Sequence, residues 1–170
     1  MQLIGYRTIK TAVGAVIAIL ISQSFNLEYA VSAGIITILS IQNTKRKSVK
    51  IAFQRFIASI IALLLSVTIF NLFGYHIVTF GIFLFLFIPL TVSLNLQEGI
   101  VISSVLVSHL LLEESVEIFW LKNELALVII GIAVALILNL YIPSIEANIK
   151  EEQKIIEEKM KQVLLKMLMP

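Results

Sequence analysis

The sequence predicts an all-α, polytopic membrane protein with six transmembrane helices, followed by a C-terminal amphipathic cytoplasmic helix. The first observation is composition, because the 170 residues are 59% hydrophobic with a mean hydropathy of +1.00. Soluble domains are roughly 45–50% apolar. The second is pattern, since long apolar runs alternate with hinges of a few residues. The third is charge, because twelve of the thirteen Lys and Arg residues fall in three clusters outside the apolar runs or at their edges.

These basic clusters predict the orientation in the membrane. They precede the first apolar run (Arg7, Lys10), separate the second from the third (Lys45, Arg46, Lys47, Lys50, Arg55) and follow the last (Lys150, Lys154, Lys159, Lys161, Lys166). Lys and Arg beside membrane helices stay on the cytoplasmic side. Six crossings from a cytoplasmic N-terminus then return the C-terminus to the cytoplasm, and four glutamates fall in the opposite hinges (Glu28, Glu113, Glu114, Glu117).

The six predicted spans differ in length. In chain order they are Thr8–Phe25, Tyr29–Asn43, Ile51–Phe73, His76–Leu94, Glu98–Leu112 and Ile118–Ile142. A helix needs about 20 residues to cross the hydrocarbon core, which the third, fourth and sixth spans provide. The second and fifth are short and carry polar residues, so we expect them to be buried among the others or against a partner. The short hinges make successive helices antiparallel.

The first two spans each carry a stripe of small and hydroxyl residues. The stripes comprise Thr11, Ala15, Ala18 and Ser22 on the first, and Ala33, Thr37 and Ser40, with Tyr29, on the second. Small residues at helical spacing let two helices approach closely. The alternative is that these two faces line a permeation path.

The fourth and sixth spans carry fewer clues. Four phenylalanines of the fourth span point to several sides (Phe80, Phe83, Phe85, Phe87), which favours a lipid-facing helix bent by Pro89 over an aromatic-substrate pocket. In the sixth span, Asn139 is expected to hydrogen-bond a neighbouring helix.

The chain divides into a transmembrane domain, residues 1–143, and a tail, residues 144–170. Pro143 ends the sixth span, and Ser144 can cap a new helix. Apolar residues then recur at helical spacing and form one stripe (Ile145, Ile149, Ile156, Met160, Val163, Met167). This amphipathic helix could lie on the bilayer, pair with a second copy or begin a further cytoplasmic domain.

Composition excludes several other classes of function. The chain has no Cys, no Asp and only two His residues, so no disulfide and no metal site is expected. It has no phosphate-binding Gly-rich motif, which argues against ATP hydrolysis and against a nucleotide cofactor. We therefore expect no enzyme, and any active transport would draw on an ion gradient or the membrane potential. Because the basic residues cluster on the predicted cytoplasmic side of the apolar runs, the net charge of +2 does not indicate nucleic-acid binding.

Four ionisable residues near the predicted cytoplasmic face are candidates for an anion path. Arg7 and Lys10 would give the path a positive mouth that concentrates organic anions. Arg55, one turn into the third span, either binds an anion or forms a structural contact, by reaching the interface or by pairing with Glu98 at the same depth. Glu98 either caps the fifth helix or carries a proton.

Two further candidates lie toward the opposite face. His109, near the outer end of the fifth span, could titrate near neutral pH, or it could be a packing residue that forms hydrogen bonds beside Ser108. Glu124, one turn into the sixth span, could couple transport to protons, or it could form an interfacial pair near Lys122 and Trp120.

Several ordered stretches resemble the N-terminal membrane region of the aromatic acid exporter family. They are GYRTIKTA at 5–12, EYAVSAGII at 28–36, LSIQ at 39–42, QRF at 54–56, LQEGIV at 96–101, NELA at 123–126 and NLYIP at 139–143. The resemblance implies a six-helix membrane half in the bacterial plasma membrane, usually followed by a cytoplasmic helical domain that we expect to be missing here. It also implies kinship with fusaric-acid-resistance pumps and, more distantly, with plant aluminium-activated malate channels.

Three hypotheses of function follow. The first is a gradient-driven exporter of small organic carboxylates, aromatic ones included. The second is a passive anion channel, and the third is a non-transporting membrane anchor that dimerises a cytoplasmic domain. In each case the expected partners are the lipid bilayer and a second copy of the chain, with a small organic anion as substrate in the first two.

Overall fold

The computed structural model describes residues 6–41, 45–141 and 153–162. Within these ranges the chain is helical apart from short connections and contains no strand, so the all-α prediction is confirmed. The helices are α1 (Tyr6–Ser24), α2 (Val31–Ser40), α3 (Lys45–Phe73), α4 (Ile77–Ser93), α5 (Ile100–Leu112) and α6 (Ile118–Tyr141). A single 3-10 turn, Gln97–Gly99, leads into α5.

The six helices correspond one to one with the six predicted spans, with shifted ends. α3 begins at Lys45, six residues before the predicted start, and α2 covers only ten residues. By length and composition, the helical segments Lys47–Phe73 and Ile118–Leu140 could cross a membrane. The other four are shorter apolar helices.

Helix α6 occupies the middle of the packing. It contacts the α1–α2 hairpin on one side and α3 on the other, and α3 in turn contacts α4 and α5. One apolar cluster therefore lies between α6 and the α1–α2 hairpin, around Ile36, Leu127 and Val128. A second lies among α3, α4 and α5, around Phe70 and Phe83.

The small-residue stripes of α1 and α2 face neighbouring helices. Ala18, Ala33 and Thr37 are fully buried, and α2 packs against both α1 and α6. At Gly34 an added Cβ would lie 3.1 Å from the Ala15 carbonyl oxygen, and at Gly131 of α6 it would lie 2.8 Å from the Ala33 oxygen. Except at Thr11, which is partly exposed, these faces are filled by helix–helix contact, which favours close packing over a permeation path along them.

The interpretation of α4 as simply lipid-facing is wrong for one of its faces. Phe83 and Phe87 are completely buried and stack with ring centroids 5.1 Å apart, while Phe85 between them is 79% exposed. The reason is that α4 closes the second apolar cluster on one side, so only the opposite side remains outward.

The tail is described only in part. Residues 153–162 are helical and their side chains are exposed, including those of Ile155, Ile156 and Met160. The rest of the predicted amphipathic helix lies outside the described residues. The described side chains likewise begin at Thr8, so the predicted role of Arg7 in a positive mouth stays a prediction.

Candidate functional site

A buried histidine–carboxylate pair joins α5 to α6. His109 Nδ1 lies 2.9 Å from Glu124 Oε2, and His109 Nε2 lies 3.3 Å from the hydroxyl oxygen of Ser32 on α2. Glu124 is completely buried and His109 is 7% exposed. Three helices thus meet at one titratable pair, and each ring nitrogen of His109 has a partner.

Asn123 ties this pair to the connection between α1 and α2. Its side-chain amide nitrogen donates to Glu124 Oε1 (3.2 Å) and to the backbone carbonyl of Glu28 (3.1 Å). Its side-chain oxygen accepts the backbone N–H of Glu28 (2.9 Å). The amide therefore orients the Glu124 carboxylate and holds the connection beside it. We call Ser32, His109, Asn123 and Glu124 the His109 cluster.

Tyr29 covers the His109 cluster. Its ring stacks on the imidazole of His109, with centroids 4.1 Å apart and planes 5° from parallel. Its hydroxyl donates to Glu113 Oε1 at 2.6 Å, in the connection between α5 and α6. This hydrogen bond, followed by desolvation, raises the pKa of Tyr29 from 10.0 to about 12. The phenol therefore stays neutral and keeps donating across the physiological range.

The His109 cluster can hold a proton in more than one arrangement. When imidazole is neutral, Nδ1–H donates to the Glu124 carboxylate and Nε2 accepts from the Ser32 hydroxyl. When imidazole is charged, both nitrogens donate, and the Ser32 hydroxyl rotates to accept. A buried carboxylate without a compensating charge carries a large desolvation cost. Gain or loss of a proton by the His109–Glu124 pair therefore changes the electrostatic energy of the contact among α2, α5 and α6.

A second polar cluster surrounds Arg55 at the other ends of these helices. The guanidinium donates from Nη1 to the Ser40 hydroxyl (2.7 Å) and from Nε to the Glu98 backbone carbonyl (3.0 Å). Its Nη2 lies 3.6 Å from Glu98 Oε2, so the predicted ion pair is present. The Arg55 side chain is 7% exposed and the Glu98 side chain 43% exposed. The cation is therefore buried, and its carboxylate partner is not.

Asn139 extends this second cluster toward α1. Its side-chain oxygen accepts from Lys10 Nζ, and its amide nitrogen donates to the Ser48 hydroxyl (2.8 Å) and to the Ser40 backbone carbonyl (3.5 Å). Ser40 thus touches both Asn139 and Arg55. The expected hydrogen bonds from Asn139 to neighbouring helices are confirmed. We call these residues the Arg55 cluster (Lys10, Ser40, Ser48, Arg55, Glu98, Asn139).

The structure sorts the predicted site residues into two groups. Lys10, Arg55 and Glu98 share the Arg55 cluster, whereas His109 and Glu124 share the His109 cluster. Glu124 has His109 and Asn123 as its partners, whereas Lys122, which lies near it in the sequence, is exposed.

Sequence reasoning missed the role of four residues. Ser32 and Ser40 lie near opposite ends of α2 and reach one cluster each, whereas Asn123 and Tyr29 hold the His109 cluster in place. The sequence feature that could have revealed the two serines is the hydroxyl residue near each end of the second span. Among the described residues, no group of three or more His, Cys, Asp or Glu side chains is placed to hold a metal ion.

Comparison with known proteins adds a family. The model of aromatic acid exporter family member 1 matches residues 2–142. An uncharacterized Bacillus subtilis (strain 168) protein, YqjA, is 46% identical over 155 residues, which are 91% of this chain and 48% of the relative. The chain thus spans about half the length of that curated relative. No solved structure matches.

The family match covers α1 to α6 and both polar clusters. It agrees with the resemblance found in the sequence, and the apolar helices agree with a membrane protein. This chain belongs to the aromatic acid exporter family.

Proposed function

We propose that this chain is the membrane part of a transporter that exports small organic anions, aromatic carboxylates among them, in exchange for protons. The observation that carries the proposal is the His109–Glu124 pair, a titratable pair that three helices bury completely or nearly so. Ionisable groups buried in membrane helices commonly mark proton or ion pathways. The family supports transport of aromatic acids as the general activity.

The proposed topology has six crossings in the plasma membrane, with both termini cytoplasmic. The polar contacts support it, because they join alternate helix ends as an antiparallel bundle requires. Tyr29 in the α1–α2 connection meets Glu113 in the α5–α6 connection, while Lys10 near the start of α1 meets Asn139 near the end of α6. With basic residues on the cytoplasmic side, the Arg55 cluster faces the cytoplasm and the His109 cluster faces outward.

The charges of the two ends suit anion export. The cytoplasmic end carries Lys10 and the buried Arg55, which would attract a carboxylate before it enters. The outer end carries Glu113, which would repel the released anion from re-binding. A membrane potential adds about 2.3 kcal/mol per charge per 100 mV in the same direction.

The proposal includes a homodimer with the anion path near the contact between copies. The described surface supports this arrangement through a groove of about 500 Å³ on α1 and α2, lined by Thr8, Thr11, Ala12 and Ile38. The groove carries hydroxyl groups on an otherwise apolar face. Twofold pairing is also the commonest form of association.

The test is transport in proteoliposomes with phthalate, a small aromatic dicarboxylate, and protein-free liposomes for the leak. An inward proton gradient should drive phthalate export by the unmodified chain. Glu124→Gln and His109→Gln should each lower this gradient-driven flux about tenfold or more, since removing a group used in the coupled step removes its driving force. Phthalate–phthalate exchange, which moves no net proton, should persist.

The matched control is Glu114→Gln, which removes an exposed carboxylate at the same end of the molecule and should leave both fluxes unchanged. Flux that ignores the proton gradient in the unmodified chain would instead favour the passive anion channel. Absence of any flux above the leak would favour the membrane anchor.

A further inference from the structure

The Glu98 carboxylate occupies a position that an organic carboxylate could take. Two nitrogens of Arg55 are engaged at short distance, Nη1 by the Ser40 hydroxyl (2.7 Å) and Nε by a backbone carbonyl (3.0 Å). The third, Nη2, has the Glu98 carboxylate at 3.6 Å, beyond ordinary hydrogen-bond length. Arg55 is thus held rigidly, with one nitrogen loosely paired.

The backbone at Glu98 is packed closely against α3, whereas its side chain is partly exposed. Gly99 packs so closely against α3 that an added Cβ would lie 2.3 Å from Ala58 Cβ and 3.2 Å from Arg55 Cα. The 3-10 turn Gln97–Gly99 therefore cannot leave α3 without losing this contact. The Glu98 side chain itself is 43% exposed, so it can rotate away from Nη2 without disturbing the turn.

Arg55 needs a compensating anion whenever Glu98 turns away. Its side chain is 7% exposed, and a buried cation without a partner carries a large desolvation cost. A planar carboxylate matches the donor geometry of a guanidinium better than most other anions. The exposed side of the pair also belongs to the end that we assign to the cytoplasm, from which a substrate for export would arrive.

We propose that Arg55, positioned by Ser40 and the Glu98 carbonyl, is the binding site for the substrate carboxylate, and that the Glu98 carboxylate is a built-in competitor for it. The inference rests on the proposed function for its direction of transport, although anion binding itself can be measured without transport. Glu98 keeps the buried cation paired when no substrate is present. Substrate binding displaces Glu98 and leaves the rest of the turn in place.

The test is equilibrium binding of radiolabelled benzoate to the full chain in phosphatidylcholine nanodiscs, with unlabelled benzoate or neutral benzamide as the competing ligand. Glu98→Gln removes the competitor charge and should tighten benzoate binding about tenfold, which corresponds to about 1.4 kcal/mol. Benzamide should not compete, because it lacks the carboxylate. The double variant Arg55→Gln with Glu98→Gln should lose benzoate binding while keeping the chain folded, since it leaves no unpaired buried charge.

The matched control is Lys50→Gln, which removes an exposed cation from the same helix and should leave benzoate binding unchanged. Benzoate binding to Glu98→Gln no tighter than to the unmodified chain would overturn the proposal, as would undiminished binding by the double variant. Failure of proton coupling with this binding pattern intact would count against the proposed function alone. Intact proton coupling without the expected pattern of benzoate binding would count against the Arg55 site alone.

Discussion

Tyr29 connects two loops and a buried pair through one side chain. It adopts a left-handed backbone conformation, with φ of 55°, in the connection between α1 and α2. That conformation is uncommon for residues other than glycine. With the backbone in this conformation, the Tyr29 ring stacks over His109 and the Tyr29 hydroxyl donates to Glu113.

The Tyr29 hydroxyl predicts a specific titration. Because the phenol donates to the Glu113 carboxylate, its pKa lies near 12 and not at 10.0. A group whose pKa is raised in the folded state contributes stability at lower pH that is lost as pH rises, here between about 10 and 12. Phenolate absorbance should show one tyrosine that ionises well above pH 10. This titration should be missing in Tyr29→Phe, which identifies the group as Tyr29.

In Glu113→Gln that late titration should shift toward pH 10, because the negative charge beside the phenol is gone. Glu114→Gln, one residue further along and exposed, should leave it unchanged. An unaltered late titration in Glu113→Gln would mean that another group holds the Tyr29 hydroxyl.

The two clusters differ in how far the sequence could predict them. Arg55 and Glu98 could be paired by counting residues inward from the same predicted face, and the structure contains that ion pair. The sequence identifies His109 and Glu124 as candidates but does not predict their contact, because that contact depends on the register between α5 and α6. The connection of residues 113–117 sets that register, and its backbone conformation, including φ of 48° at Glu114, does not follow from the residue types.

Helix α2 is the element on which both clusters depend. Ser32, near its start, touches His109, and Ser40, its last residue, touches Arg55. Between them, Thr37 Oγ1 lies 3.0 Å from the carbonyl of Gly131, which keeps α2 against α6. The length and polar residues of the second span predict that α2 is short and buried. They do not predict that α2 joins the two clusters, because that depends on which helices surround it.

The contact between α2 and α6 predicts a sharp effect of one methyl group. In Gly131→Ala the added Cβ would lie 2.7 Å from Ile36 Cβ and 2.8 Å from a backbone oxygen, which cannot move aside cheaply. We expect a loss of stability of about 1–3 kcal/mol, as for overpacked cores. The midpoint of thermal unfolding in detergent measures it.

Gly81→Ala is the matched control, because an added Cβ at Gly81 of α4 meets nothing within 4 Å. It should be neutral or slightly stabilising, since alanine favours helix over glycine. Equal unfolding midpoints for the two variants would show that α2 and α6 are not held this closely.

At the scale of the whole molecule, the proposed orientation can be read from two connections. The chain contains no cysteine, so single cysteines introduced at Gln97 and Ser115 can be labelled individually in intact cells. An impermeant maleimide should react with Ser115→Cys and not with Gln97→Cys, because basic clusters keep the Gln97 end inside. The reverse pattern would invert the assignment of the two polar clusters to the two faces.

The proposed dimer predicts a cross-link along α1. Ala12 is exposed in the groove between α1 and α2, so Ala12→Cys should form a disulfide-linked dimer in native membranes. Gly81→Cys, exposed on α4, should not. The helical tail adds a second position at Met160, where side chains are also exposed. A chain that stays monomeric in nanodiscs with no cross-link at Ala12 or Met160 would leave the path between copies without support.

The length of α2 has a consequence for the surrounding lipid. Its ten residues rise about 15 Å, roughly half the thickness of a typical hydrocarbon core. One side of α2 faces outward through Val31 and Ile35. Acyl chains beside it must shorten or tilt, at a cost of fractions of a kcal/mol per Å of mismatch. We therefore expect this protein to prefer thin bilayers and to respond to the acyl-chain length of the membrane that holds it.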